Sequence, residues 1–315
     1  PLGTQGNLFG ITGGEGTGKS NYVAAIVAGC ICPAGADIDT LGIQITANGR
    51  HKAVLLYDTE QSEVQLFKNV SNLLARAKQP DKPDELKAFC LTGMSRKERL
   101  NAIVQSMDKF YYQYGGIQLV VIDGIADLVK SANDEAESVA VIDELYRLAG
   151  IYNTCILCVL HFVPNGLKLR GHLGSELQRK AATILSIEKD EEPAQSVVKA
   201  LKVRDGSPLD VPLMLFAWDK EAGMHVYKGE KPREEKEKRK ERELVNVARD
   251  IFGRQTRITY IDLCEQLQQV LDIKERTAKS YIRFMRERDI ITKDTANQSC
   301  FVIGSYNLQR NASCP

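Results

Sequence analysis

Residues 10–25, "GITGGEGTGKSNYVAA", constrain this chain more than any other stretch. An apolar run ends in a loop containing Gly13, Gly14, Gly16 and Gly18, and a helix-forming stretch begins at once. Glycines at such spacing let successive backbone N–H groups turn inward toward one anion, and the helix start adds partial positive charge. Gly13-Gly14-Glu15-Gly16-Thr17-Gly18-Lys19-Ser20 fits GxxxxGK[ST] without departure, in the strand-before and helix-after context that gives the pattern meaning. Lys19 is positioned to reach β- and γ-phosphates, the Ser20 hydroxyl to ligate Mg²⁺, and Asn21 to follow in the helix's first turn. The implied ligands are ATP and Mg²⁺.

The surrounding pattern is strand–helix alternation. "NLFGIT" (7–12), "AVLLYD" (53–58), "LVVID" (119–123), "CILCVLH" (155–161) and "ATILSIE" (182–188) read as buried parallel strands. Helices are expected over 19–29, 62–78, 96–114 and 134–151. "SVVKALKVRDG" and "LMLFAWD" read as hairpin-like edge strands. The expectation is an α/β domain with a mostly parallel sheet over residues 1–227. The segment 30–52 is long for a helix-to-strand connection, and no role follows from its composition.

Residues 228–243, "KGEKPREEKEKRKERE", contain no apolar side chain and read as a charged linker or a helix start. Beyond them, at 244–315, three helical stretches precede two short strands around a polar turn, with Gly253 as a stop and Thr259 as an N-cap. The layout resembles winged-helix DNA readers. Its third helix carries Lys274, Arg276, Lys279, Arg283 and Arg286, a set suited either to duplex DNA or to a protein partner.

Net charge is only +1, so a polyanion partner must be recognised locally. No run is apolar enough for a membrane span, and no leader pattern opens the chain, so a cytoplasmic protein is expected. The chain starts Pro-Leu-Gly-Thr rather than with Met, which reads as a trimmed N-terminus and leaves open a further domain ahead of it. The eight cysteines read as thiols in a reducing compartment. Cys155 and Cys158, three apart on a strand, point to opposite faces and make a poor metal pair.

Two acidic positions complete the phosphate-loop site. Asp123 ends an apolar strand, where a carboxylate can hold the water shell of Mg²⁺. No acid follows it, so the base that polarises a water must come from "LLYDTEQS": Glu60 is the choice and Asp58 the reserve. The alternative for either is a helix cap.

A phosphate loop, a Glu after the next strand and an Asp-only strand end together resemble the RecA-like ATPases. Within them the sequence is most similar to RepA-type plasmid replicative helicases and related mobile-element ATPases. The resemblance runs over about 7–218 and includes "VLHF", "LRGHLGSELQRKAATILSIEKD" and "VVKALKVRDG". It implies that His161 senses the γ-phosphate, and that the loop 163–175, with Lys168, Arg170 and His172, grips single-stranded DNA. It implies too that Lys202 and Arg204 act as a basic finger in a neighbouring subunit's site, within a homo-oligomeric ring, typically a hexamer. A Lys-x-Arg pair also suits the solvent face of an edge strand. Family helicases do not usually carry the C-terminal module, so three uses stay open: a DNA motor, an ATP-gated duplex switch, and a nucleotide-gated scaffold. A small-molecule kinase is disfavoured because no cluster of lid arginines stands out. RadA-like strand exchange is disfavoured for want of a polymerisation segment.

Overall fold

Alternate side chains of each parallel strand serve two different cores, because the strands are covered on both faces. In β2 (Ala53–Asp58), Val54 and Leu56 join one core, and Ala53, Leu55 and Tyr57 join the other. β5 (Cys155–His161) divides in the same way, with Cys155 on one side of the sheet and Cys158 on the other. Those two thiols therefore cannot share a ligand.

The computed structural model describes residues 1–161, 171–190, 194–232, 236–253, 255–295 and 297–305. The remaining elements of the first unit are β1 (Leu8–Gly13), α1 (Lys19–Ile31), α2 (Glu63–Arg76), β3 (Leu86–Cys90), α3 (Arg96–Tyr114), β4 (Ile117–Asp123), α4 (Glu135–Ile151), α5 (Gly171–Lys180), β6 (Thr183–Lys189), β7 (Gln195–Val203), β8 (Leu213–Asp219) and β9 (Met224–Lys231). They build a nine-stranded sheet in the order β3-β2-β4-β5-β1-β6-β7-β8-β9. β3 through β6 run parallel, and β7, β8 and β9 extend the sheet antiparallel. α1 and α2 cover one face, and α3, α4 and α5 the other. This is an α/β core with a largely parallel central sheet.

The strand order puts β5 between β1 and β4, so the phosphate-loop strand and the Asp123 strand are separated by one strand. α3 begins with a capping box, in which Ser95 and Glu98 satisfy each other's backbone N–H groups. The long connection after α1 is fastened to the core. Leu41 and Ile43 are buried, the Asp39 carboxylate accepts the Tyr227 N–H at 2.7 Å, and Arg76 donates to the Asp39 carbonyl at 2.8 Å.

Several expectations need correction. β3 and β9 have no counterpart in the sequence reading, and residues 171–175 of the expected glycine-rich loop form the start of α5. Of the two readings of the charged run 228–243, the helix start describes its second half. β9 continues to Lys231, and the next helix, α6 (Lys236–Phe252), starts inside the run, because a charged sequence rich in Glu, Lys and Arg is a good helix former. The chain divides after Pro232 rather than near 227.

The second unit adds β10 (Ile258–Thr259), α7 (Tyr260–Leu271), α8 (Glu275–Glu287), β11 (Ile291–Lys293) and β12 (Cys300–Ile303). The three strands pair antiparallel in the order β10-β12-β11. Thr259 caps α7 by accepting the Asp262 N–H. Leu244, Ala248, Leu263, Leu267, Ala278, Ile282 and Phe301 form a core of this unit's own.

Candidate active site at the phosphate loop

The parallel strands end in register, and that fixes the site. Asp58 stands opposite Asp123, Asp123 opposite Val159, and Gly13 opposite His161. Carboxylates, imidazole and loop thus share the carboxyl edge of the sheet, where open α/β sheets bind ligands.

The loop is shaped by close approach. A Cβ on Gly13 would collide with the Ile187 carbonyl, and one on Gly18 would lie 2.8 Å from a ring carbon of Phe216. Gly18 is also left-handed, with φ 93°, and no side chain caps α1. The first turn of α1 contains no acidic residue, so its N–H groups face an anion without competition. Thr17 is buried and donates to the Gly14 carbonyl at 3.0 Å, which ties the loop to itself. Glu15, Gly16, Ser20 and Asn21 are exposed at the rim.

Lys19 is buried, and its ammonium donates to the carbonyls of Gly13 at 3.1 Å and Gly14 at 2.6 Å. Burial lowers its pKa, while the charges of Asp123, Glu60 and Glu15 oppose that shift. Asp123 is pushed up to about 7, first by burial and then by the like charges of Asp58 and Glu60; His161 and Lys19 partly offset this. A concentrated negative charge that its own lysine does not neutralise is the environment in which a divalent cation binds. Glycines that admit no side chain, a buried ammonium and this acidic cluster together fit a Mg²⁺-bound nucleoside triphosphate. When bound, Mg²⁺ supplies neutralisation of the charge on the phosphoryl oxygens.

Glu60 and His161 meet. The His161 Nε2 lies 3.4 Å from Glu60 Oε2, each side chain being 35% exposed. Asp58 has a different task. It is buried, and its Oδ1 accepts the N–H groups of Glu60 at 3.0 Å and Gln61 at 2.8 Å. Burial raises its pKa. Of the two readings of Asp58, its contacts match the cap: it holds the turn that presents Glu60.

Two residues of this site escaped sequence reasoning. Thr59 Oγ1 donates to the Gly124 carbonyl at 2.7 Å and accepts the Gly124 N–H at 2.9 Å, while its own N–H reaches the Asp123 carbonyl at 2.7 Å. This clasp joins the ends of β2 and β4. Gly124 matters for what it lacks: a Cβ there would run into the Glu60 carboxylate. Gly124→Ala is expected to leave nucleotide affinity within about twofold and to lower kcat by roughly 10²-fold, the smaller value for a displaced acid–base group. Steady-state ATPase kinetics with a nucleotide-binding titration on the same preparation check this.

The other expected site residues lie elsewhere. Lys202 Nζ donates to the carbonyls of Gln178 at 2.7 Å and Arg179 at 3.1 Å, and Arg204 to that of Lys180 at 2.8 Å. They cap the carboxyl end of α5, as cations do at that pole of a helix. Val203 pairs with Thr183 at the start of β6, so both cations sit on the sheet edge opposite the phosphate loop and outside this chain's own site. Lys168 and Arg170 lie outside the described residues. His172 is exposed in the first turn of α5.

In the second unit, Ala278, Ile282 and Met285 form the buried stripe of α8. Arg276, Lys279, Arg283 and Arg286 recur at intervals of three and four on its exposed side, with Lys274 at the N-cap. Lys279 pairs with Glu275 at 2.7 Å and Arg283 with Glu287 at 2.8 Å; such exposed pairs hold their partners weakly. The Arg286 guanidinium lies 6.0 Å from the Phe301 ring centre.

A phosphate cradle between strand and helix, set on a mostly parallel sheet with acids at the same edge, defines a P-loop ATPase. A family model described as an AAA domain matches residues 4–165, just over half of the chain, and the chain belongs to that family. No curated protein matches it. Among the described residues, no helix is long and apolar enough to cross a membrane.

Proposed function

We propose that this protein is a DNA-dependent ATPase of the RepA-like helicase type, in which the second unit, a winged-helix module, engages duplex DNA. The convergence of Lys19, Glu60 and Asp123 on one strand edge carries the hydrolytic part of the reading. Glu60 takes a proton from the attacking water, and Lys19 with the loop N–H groups stabilises charge on the transferring phosphoryl group. Asp123 and the Ser20 hydroxyl hold Mg²⁺, and His161 reports the γ-phosphate to the chain that follows it. Lys202 and Arg204 serve a neighbouring subunit's site in a ring, a role consistent with their place outside their own. Lys168 and Arg170 contact single strands. The exposed basic side of α8 supports duplex binding through phosphates.

A second reading, an ATP-gated duplex-binding switch in transposition, mobilisation or replication initiation, is favoured by that same basic helix. The deciding experiment is ATP hydrolysis without DNA, with single-stranded DNA and with duplex, using Lys19→Ala as the blank. Stimulation by single strands supports the ring translocase; stimulation by duplex alone supports the switch. No response to either overturns DNA dependence. In parallel, Arg283→Glu with Arg286→Glu is expected to weaken duplex binding and to flatten its log–log salt dependence by about two counterions. Unchanged affinity would remove α8 from the interface.

A further inference from the structure

The phosphate loop grips phosphates only, and a nucleotide also has a base that must rest on some surface near it. On the reading that the loop holds a nucleotide, we infer that Trp218 is the surface on which the base stacks, with His225 packed beside it.

The sheet leads there directly. β6 ends next to the loop, with Gly13 opposite Ile187. From there the register passes through Lys189 and Ser196 to Phe216, and Trp218 lies two residues further along β8. The end of β8 therefore projects beyond the loop on the same edge. Side chains bridge the interval. The Phe216 ring presses on Gly18, where a Cβ would lie 2.8 Å from it. Phe216 meets His225 edge-on with ring centres 5.7 Å apart, and His225 meets Trp218 edge-on at 5.5 Å. A row of rings thus runs from the loop–helix junction outward. Its inner member, Phe216, is fully buried, whereas its outer member, Trp218, is 55% exposed.

Trp218 is the open end of this row on a strand whose Leu213, Met214, Phe216 and Ala217 are buried, so the row that starts at the loop ends in an indole face free to meet a ligand. Its mounting is rigid. Asp219 accepts the N–H groups of Glu221 and Ala222, each at 3.1 Å, and pairs with Lys228 at 3.2 Å, which fixes the β8–β9 turn. The imidazole of His225 is kept toward its neutral form by burial and by the nearby Arg76 and Lys189 charges, so it adds an uncharged ring to the platform. Base–aromatic stacking needs a π-face held in place, and this row provides one.

Trp218 is the only tryptophan in the chain, so the unmodified protein reports on its own site. Its emission is to be titrated with ATP, ADP and inorganic tripolyphosphate, with binding of each measured separately by equilibrium dialysis or competition. ATP and ADP are expected to quench the emission, while tripolyphosphate displaces ATP and leaves the emission unchanged. Trp218→Ala should weaken ATP about tenfold and tripolyphosphate not at all, and Trp218→Phe should keep most of the affinity. Bound ATP with unaltered emission would overturn the assignment and make Trp218 a contact for some other partner. Equal losses for ATP and tripolyphosphate in Trp218→Ala would overturn it as well. If Lys19→Ala still bound ATP with full quenching, the phosphate-loop reading would fail while the stacking surface stood.

Discussion

Glu60→Gln should bind ATP as the parent does and hydrolyse it roughly 10²–10⁴-fold more slowly, the range for loss of a general base. The substitution keeps the size and the hydrogen-bonding reach of the side chain, so its contact with His161 at 3.4 Å has a substitute partner. The loop glycines, Thr17 and Lys19 are untouched, and these make the contacts expected to set affinity. What disappears is the capacity to accept a proton. Asp58 is the poorer candidate to take over, because its Oδ1 is held by two backbone N–H groups and its side chain is buried. Single-turnover hydrolysis beside a nucleotide-binding titration separates the two quantities. Turnover at the parent rate with normal affinity would move the base elsewhere. A joint loss of affinity and turnover would give Glu60 a binding role instead.

Parts of the site were legible because their meaning is local. The phosphate loop is contiguous, and the strands at 53–58 and 155–161 lie at the boundaries that their apolar runs imply. α3 also spans its expected 96–114, since Ser95 and Glu98 mark its start and Gly115, left-handed at φ 65°, its end. Asp123 and Glu60 could be picked out as acids at the ends of apolar strands. Thr59 and Gly124 could not, since one works by clasping a distant strand and the other by yielding space to a distant carboxylate. α5 was hidden by its glycines, which read locally as a loop. In the folded chain Gly171 is left-handed, and a Cβ there would strike the Ala132 carbonyl, so that glycine answers to packing as well as to backbone freedom. The start of α6 has the opposite cause, a charged run whose composition suits a linker and a helix start equally.

Asp123→Asn should pull stability and activity in opposite directions. In the folded chain its pKa rises to about 7, chiefly through burial and then through Asp58 and Glu60. A carboxyl whose folded pKa lies above its unfolded value favours the folded state while protonated, and that advantage is lost as pH climbs between the two values. The penalty from ionised Asp123 is therefore absent below about pH 4, grows toward pH 7 and is complete above it. An amide carries no such penalty. At pH 8 the nucleotide-free variant is expected to be more stable by about 2–4 kcal/mol, with the gain shrinking toward pH 5. The same change takes a carboxylate from the Mg²⁺ position and should cut Mg²⁺-dependent hydrolysis by at least roughly 10²-fold. Thermal unfolding at several pH values, set beside hydrolysis over a Mg²⁺ titration, reads both effects. A stability gain with unchanged turnover would detach Asp123 from the metal while keeping its electrostatic cost. A pH-independent gain would instead mean that packing, not charge, governs the position.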